Sequence, residues 1–383
     1  MATTSTSTTT TTATATMPAI VRLARSTNID VDSLDPSLAR KLLSLGVTAN
    51  DQTSNQVLIV QAILDPQNAQ LVKEVTASMP DAPSLAIVDH ISVLLSKRND
   101  GLIKGRFLLQ TSPQGASDMA AIIAHARNYA KEFEMAGLPK ERFCIKLPAT
   151  GAGVNAAKVL EGEGIRTLGT SLFSVPQALA CSQAGCLSIS PYFNEIPAHD
   201  RTTNLWPQPA DVAREHPMSP RMVQIYQAYA DLERHTGRTQ PLIKAASMIG
   251  GKEAMAIGEE MGAQHLTCLA PVLKELFEMQ VSGDSKKAEI NTYATFDVPE
   301  RLKDLLQVDP LSPGGKPYTI DPSLDWLADG GAALDAYIAG DAETAKRLQA
   351  SLDLFIGAEA VAIEAVERVR RGEGTEGLVF GGL

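Results

Sequence analysis

The chain has 383 residues, of which 44% are hydrophobic and 20% charged, and its formal net charge is -10. That balance suits one large α/β domain with a sizeable core. An acidic chain without a Lys/Arg run is a poor fit to a nucleic-acid partner, and no stretch approaches the roughly eighteen apolar residues of a membrane span.

Residues 1–18, "MATTSTSTTTTTATATMP", are low in complexity. They lack the apolar core of a signal peptide and the arginines of a mitochondrial presequence, so a disordered tail is expected, followed by a single domain over 19–383. From Ile29 onward, short apolar runs alternate with helical patterns. "SLAIVDH" (84–90) and "GRFLLQT" (105–111) read as strands. "DMAAIIAHARNYAKEFEMAG" has apolar residues at helical spacing and ends on Gly137. "RFCIKLP" is a strand, "GVNAAKVLEGEG" a helix, "IRTLGTSLF" a strand, "SVPQALACSQAG" a helix and "LSISPYF" a strand. "MSPRMVQIYQAYADLERHTG" is a helix, "PLIKAASMI" a strand, "GKEAMAIGEEMG" a helix, "HLTCLA" a strand and "PVLKELFEM" a helix. The segment from Asp341 to Arg371 is one long helical pattern. Cys144, Cys181, Cys186 and Cys268 show neither zinc spacing nor a disulfide framework, which fits reduced thiols in a cytoplasmic protein.

Sustained strand–helix alternation means a parallel sheet, either closed as a barrel or open and doubly wound. No GxGxxG follows the first strand, and "GAGVNAAK" lacks the ending of a phosphate-binding P-loop. The (β/α)8 barrel is therefore favoured, and in a barrel chemistry gathers at the C-terminal ends of strands. Lys146 stands there, at the end of "RFCIK". A lysine amine attacks a carbonyl only when neutral, and burial among Phe143, Ile145 and Leu147 would lower its pKa. Strand position alone fits a rim lysine whose stem covers apolar surface better than it fits catalysis. The surrounding motifs reverse that balance.

"CIKLPATGAGVNAAKVLEGEGI" resembles the Schiff-base segment of the transaldolase family. Further motifs follow the family's order. "DVDSLDP" resembles its first-strand aspartate motif, with Asp32 as the aspartate. "TANDQTSNQVLI" resembles Thr-Thr-Asn-Pro-Ser-Leu-Ile, with Asn55 as the asparagine and Gln56 in place of the proline. "LSISPYF" resembles the Ile-Ser-Pro strand, with Ser190 as the serine, and "KAASMI" resembles Ala-Ser-Phe, with Ser247 as the serine. The resemblance covers roughly residues 28 to 370. It implies a (β/α)8 barrel of the class I aldolase type, working without metal or other cofactor, in which Lys146 forms a Schiff base and Asp32 serves in proton transfer. It also implies that Asn55, Ser190 and Ser247 bind donor hydroxyls.

Three departures point towards the fructose-6-phosphate aldolase branch of that family. Gln110 replaces a glutamate, Leu168 and Thr170 stand in "TLGT", and Tyr192 replaces a phenylalanine. A tyrosine hydroxyl can give and take a proton, whereas a glutamine can hold a water but cannot titrate. Gln110, Thr170 and Tyr192 are therefore expected to hold the water that hydrates and dehydrates the adduct. A fourth departure concerns substrate. Glu195 and Ile249 stand where the family's phosphate-binding arginines would be. The carboxylate repels phosphate and isoleucine offers no donor, unless Lys252, Arg201 or Arg221 supplies a cation from a loop.

The expectation is an aldolase joining or cleaving a ketone donor and an aldehyde without phosphate, in a specialised, secondary pathway. Transfer of a three-carbon dihydroxyacetone unit between sugar phosphates is the alternative, and a non-catalytic metabolite- or partner-binding barrel is a rival of another class. The partners expected are small ketones and aldehydes, with homodimer formation left open. Lys244 is the rival amine. If Ser247 faces inward, period two turns Lys244 away from the barrel centre. The six histidines show no metal spacing and read as surface or packing residues, with contact to substrate the lesser alternative for His199 in the loop beyond Tyr192. Trp206 and Trp326 are expected in packing roles.

Overall fold

The computed structural model describes residues 16–381 apart from 201, 204, 206–208 and 284–288. Eight parallel strands close into a barrel. They are β1 (Asn28–Asp32), β2 (Gln52–Thr53), β3 (Phe107–Gln110), β4 (Phe143–Pro148), β5 (Thr167–Leu172), β6 (Ser188–Pro191), β7 (Leu242–Ala245) and β8 (His265–Leu269). Each pairs with its sequence neighbour, and β1 closes the ring against β8 with Asn28 opposite His265 and Asp32 opposite Leu269. The fold is the expected (β/α)8 barrel. Among the described residues, no helix is long and apolar enough to cross a membrane.

Two readings need correction. "SLAIVDH" is not a strand but the first half of the helix Ser84–Lys97, which buries Ile87, Val88, Ile91 and Leu95 on one face. The apolar spacing continues beyond the seven residues that looked like a strand, and at that length it is helical. The second barrel strand is instead β2, two residues long, too short for any periodicity to show. The ordered chain also begins by Thr16 rather than after Pro18, because Thr16–Pro18 pairs antiparallel with Gln280–Ser282. The rest of the Thr/Ser-rich tail, residues 1–15, lies outside the described residues, as do Arg201 and Trp206.

Period two along the strands builds the barrel interior in layers. Gln110 is opposite Lys146, and Pro148 is opposite Thr170. Two residues earlier on the same strands, Leu108, Cys144 and Leu168 form a small apolar cluster of their own. Lys146 therefore stands on an apolar floor. Its strand runs straight into the helix Gly151–Gly162, which Thr150 caps by accepting from Gly153 N at 3.0 Å. A Cβ on Gly153 would overlap the Pro148 carbonyl oxygen, so glycine lets the helix start directly behind the lysine strand. The glycines of "GAGV" thus serve this close turn.

The long C-terminal helix, Ala342–Arg370, buries Arg347, Ser351, Phe355, Ala358, Ala362 and Val366 along one stripe. It lies against loops at the C-terminal ends of the strands. Ser112, two residues beyond β3, donates to Glu359 at 2.7 Å, and Arg347 reaches Glu195 beyond β6 at 3.4 Å.

Candidate active site

Lys146 is 4% exposed, and its Nζ donates to the Ser54 carbonyl beyond β2 at 3.0 Å. That contact spans β3, so the side chain points across the barrel mouth. Burial, the largest influence, pushes the ammonium below the ordinary lysine value, against the opposing pull of Asp32 and Cys144. Asp32, at the end of β1, accepts from the Thr53 hydroxyl. Thr170 and Tyr192 share a hydrogen bond of 3.1 Å between hydroxyls. Burial first, and then Asp32, push the Tyr192 phenol up to about 12, against hydrogen bonds from Thr170 and Ser171. Tyr192 therefore remains a protonated donor at neutral pH. Lys146 and Tyr192 both feel Asp32, so these groups converge on one end of the barrel.

Gln110 is buried beside Lys146, and its Oε1 has no hydrogen-bond partner among the described residues. An unmet buried acceptor costs about 1–3 kcal/mol, which a substrate or water donor would recover. Gln56, in place of a proline, opens the helix Gln56–Leu64. Its Nε2 donates to the Gln110 and Thr111 carbonyls at 3.1 and 3.0 Å, tying that helix to the end of β3. Asn55 caps the same helix, its Oδ1 accepting from Val57 N and Leu58 N, so only its amide NH2 remains to face a ligand. Ser190 is buried on β6, two residues before Tyr192 and on the same face.

Two left-handed residues flank β6. Ser171 in β5 has φ 52° and Ser247 beyond β7 has φ 61°. Each such non-glycine conformation costs about 1–3 kcal/mol and is held only where its surroundings enforce it. Ser171 lies within a register shift between β5 and β6, which re-aims the end of β5. Ser247 overturns the expectation for Lys244. Strand alternation stops at Ala245, so Ser247 and Lys244 can both face inward. Lys244 Nζ meets Asp30 at 2.9 Å, Asp51 at 2.6 Å and His265 at 2.7 Å. Those partners lie on β8, on β1 and just before β2, so Lys244 reaches across the barrel interior. Asp30, Asp51 and His265 are grouped closely enough to hold a metal ion, a cluster that linear spacing conceals, and the Lys244 ammonium stands among them. Burial opposes each charge. His265 and Lys244 still hold Asp30 below the usual carboxylate range, and the two aspartates hold Lys244 above the lysine value. Lys244 is therefore a locked cation, unlike Lys146.

Glu195 does not project a free carboxylate. It is 3% exposed and lies between Arg347 at 3.4 Å and Lys346 at 3.2 Å. Arg221 is fully engaged with Asp309, Asp341, Thr344 and the Phe173 carbonyl, which removes it as a loop cation for substrate. Lys252 is exposed on the helix Gly251–Glu260. His199 does reach the site's rim, its Nε2 lying 2.8 Å from Ser247 Oγ.

The family model for transaldolase/fructose-6-phosphate aldolase matches residues 29–307. The chain belongs to that family. Similar curated proteins include a probable transaldolase of Dictyostelium discoideum, 28% identical over 74% of this chain and 86% of that protein. A transaldolase of Methylibium petroleiphilum is 27% identical over 71% of this chain and 87% of its own length. One of Agrobacterium fabrum is 28% identical over 62% and 75%. The protein is thus an enzyme of the transaldolase class, and its C-terminal helix lies beyond the matched region. Sequence reasoning missed Thr53, Gln56, Arg347 and Lys346. The Gln-for-Pro change marked Gln56, but nothing local marked the other three.

Proposed function

We propose that this transaldolase-family enzyme makes or cleaves a carbon–carbon bond through a Schiff base on Lys146. The buried, depressed amine at the barrel mouth, beside Asp32, carries this reading. The amine adds to a ketone donor resembling dihydroxyacetone and loses water to give an iminium. In cleavage, Asp32 takes the carbinol proton, the carbon–carbon bond breaks, the aldehyde leaves and its electrons remain on the donor as an enamine. Addition runs the same steps backwards. Tyr192, Thr170 and Gln110 hold the water lost and regained at the adduct, and Asn55, Ser190 and Ser247 hold hydroxyls.

Free release of the donor makes an aldolase, and passage only to an acceptor makes a transaldolase. The residues Gln110 and Tyr192 favour the first, with an acceptor lacking phosphate and a place in a specialised pathway. The second reading, transfer between sugar phosphates in the pentose phosphate pathway, is favoured by the relatives' names and by Arg347 and Lys346 at the Glu195 position. Borohydride reduction with a panel of ketones, followed by intact-mass analysis, tests the adduct. Product analysis with and without an acceptor aldehyde separates the two readings.

Two variants probe this division. Tyr192→Phe should lower kcat for free-donor turnover about 10²-fold, the scale of one positioned proton donor. Unchanged kcat would leave the tyrosine a packing residue. Glu195→Gln removes the carboxylate that neutralises Arg347 and Lys346. It should raise kcat/KM for a phosphorylated aldehyde about tenfold relative to the unphosphorylated form. Glu195→Arg is a poorer probe, because it would crowd a third cation against those two.

A further inference from the structure

We infer that Gln56 is a positioning residue: its side chain adds a rung to the β2–β3 ladder beyond the end of β2, and that rung sets Gln110 beside the reactive amine. The inference rests on the Lys146 chemistry proposed above and on the water-holding role given there to Gln110.

Strand β2 is two residues long, yet its pairing with β3 does not stop there. Gln52 N donates to the Arg106 carbonyl at 3.0 Å, and Ser54 N donates to the Leu108 carbonyl at 3.0 Å. Steps of two on both chains call next for a donor from residue 56 to the Gln110 carbonyl. Residue 56 supplies it from its side chain, Nε2 lying 3.1 Å from that oxygen, because the main chain has by then turned into the helix Gln56–Leu64. The second proton of the same amide goes to the Thr111 carbonyl at 3.0 Å. That carbonyl also lacks its ladder partner. Thr111 N donates to the Lys146 carbonyl at 3.0 Å, and the residue that would answer two places on is Pro148, which has no N–H.

An amide NH2 has two protons, and both are engaged. The opposite flip would set Oε1 against two carbonyl oxygens, so the orientation is fixed. The Ser54 carbonyl receives Lys146 Nζ at 3.0 Å, and Gln110 stands opposite Lys146 across β3 and β4. The extra rung therefore closes a ring of contacts from Lys146 to Ser54, through Gln56 to Gln110, and back to Lys146. Gln56 and Gln110 are 4% and 2% exposed, so bulk solvent does not stand in for the rung. Proline, which the family motif carries at this place, suits the first position of a helix but brings no donor. Starting the helix thus does not call for glutamine, whereas the rung does.

The test follows adduct formation with dihydroxyacetone, quenched with borohydride at intervals and read by intact mass. Gln56→Pro keeps a helix-starting residue and removes the donor. It should slow adduct formation about tenfold at saturating donor, within the roughly 10²-fold that a small misplacement can cost, with the half-saturating donor concentration unchanged. Gln56→Met, similar in length and without a proton to give, should be slowed as much, and it carries the comparison if circular dichroism shows Gln56→Pro unfolded. Gln110→Ala keeps the carbonyl that receives the rung and removes the side chain that the rung positions. It should itself be slow, and adding the position-56 substitution should slow it less than about twofold further. A merely structural glutamine would cost the same in both backgrounds. Wild-type rates in the position-56 variants, or a full further loss in the double variant, overturn this inference alone. A Gln110→Ala variant as fast as wild type sinks the role of Gln110 and this inference with it. A wild type without an adduct sinks the Lys146 reading as well.

Discussion

Lys146→Met should lose all borohydride trapping with a ketone donor, and turnover should fall on the order of 10⁴-fold or more, as for other lost nucleophiles. Methionine keeps the length and apolar stem of lysine, so the barrel should stay folded. The assay is intact mass after reduction, with peptide mapping of the wild-type adduct. An adduct mapped to Lys244 would overturn the assignment. The pH dependence has a definite sign. Burial disfavours the ammonium, so the neutral amine becomes available at lower pH than for an exposed lysine. Adduct formation should therefore rise with pH through that lowered pKa and then flatten. An exposed lysine would still be climbing where this one has levelled.

Lys244→Ala should instead destabilise the fold, by about 3–5 kcal/mol, the usual effect of removing one partner from a buried ion cluster. Asp30 is fully buried and Asp51 is 4% exposed, and each would lose its ammonium partner. Urea unfolding monitored by circular dichroism measures the loss. A change under about 0.5 kcal/mol, typical of surface substitutions, would show that the cluster is not an electrostatic keystone. Because Asp30, Asp51 and His265 could hold a metal ion, added zinc should restore part of the stability of Lys244→Ala and none to wild type. The two lysines thus separate cleanly. One substitution removes chemistry from a stable barrel, and the other loosens a barrel whose reactive amine is intact.

Much of this was legible because it is local. The run "RFCIKLP" names its own strand, and its position ahead of a glycine-started helix puts Lys146 at the catalytic end. The order of the family motifs supplied the other candidates. What escaped was what the chain brings together from a distance. Lys244 meets Asp30 across 214 positions and Asp51 across 193, and Arg347 meets Glu195 across 152. No window of sequence contains such pairs. Lys244 was aimed wrongly for a different reason. The period-two argument assumes extended backbone, and Ser247 leaves it with a positive φ that serine rarely adopts. A two-residue strand such as β2 has no period at all, so it was visible only through the motif that contains it.

The C-terminal helix carries a consequence for how the enzyme comes into being. Chains emerge from the ribosome N-terminus first, and their early parts can begin to fold before the rest exists. By Leu269 every barrel strand has been made, yet Asp335, Arg347 and Glu359 have not. The loops they tether, through Gly151 N at 2.7 Å, Glu195 and Ser112, must wait. During that interval a nascent barrel would hold its lysine at an unfinished mouth. The reactive chamber is therefore completed only once the helix Ala342–Arg370 has been made. A message truncated before codon 342 would encode a barrel with the nucleophile in place but two of its three loop restraints missing.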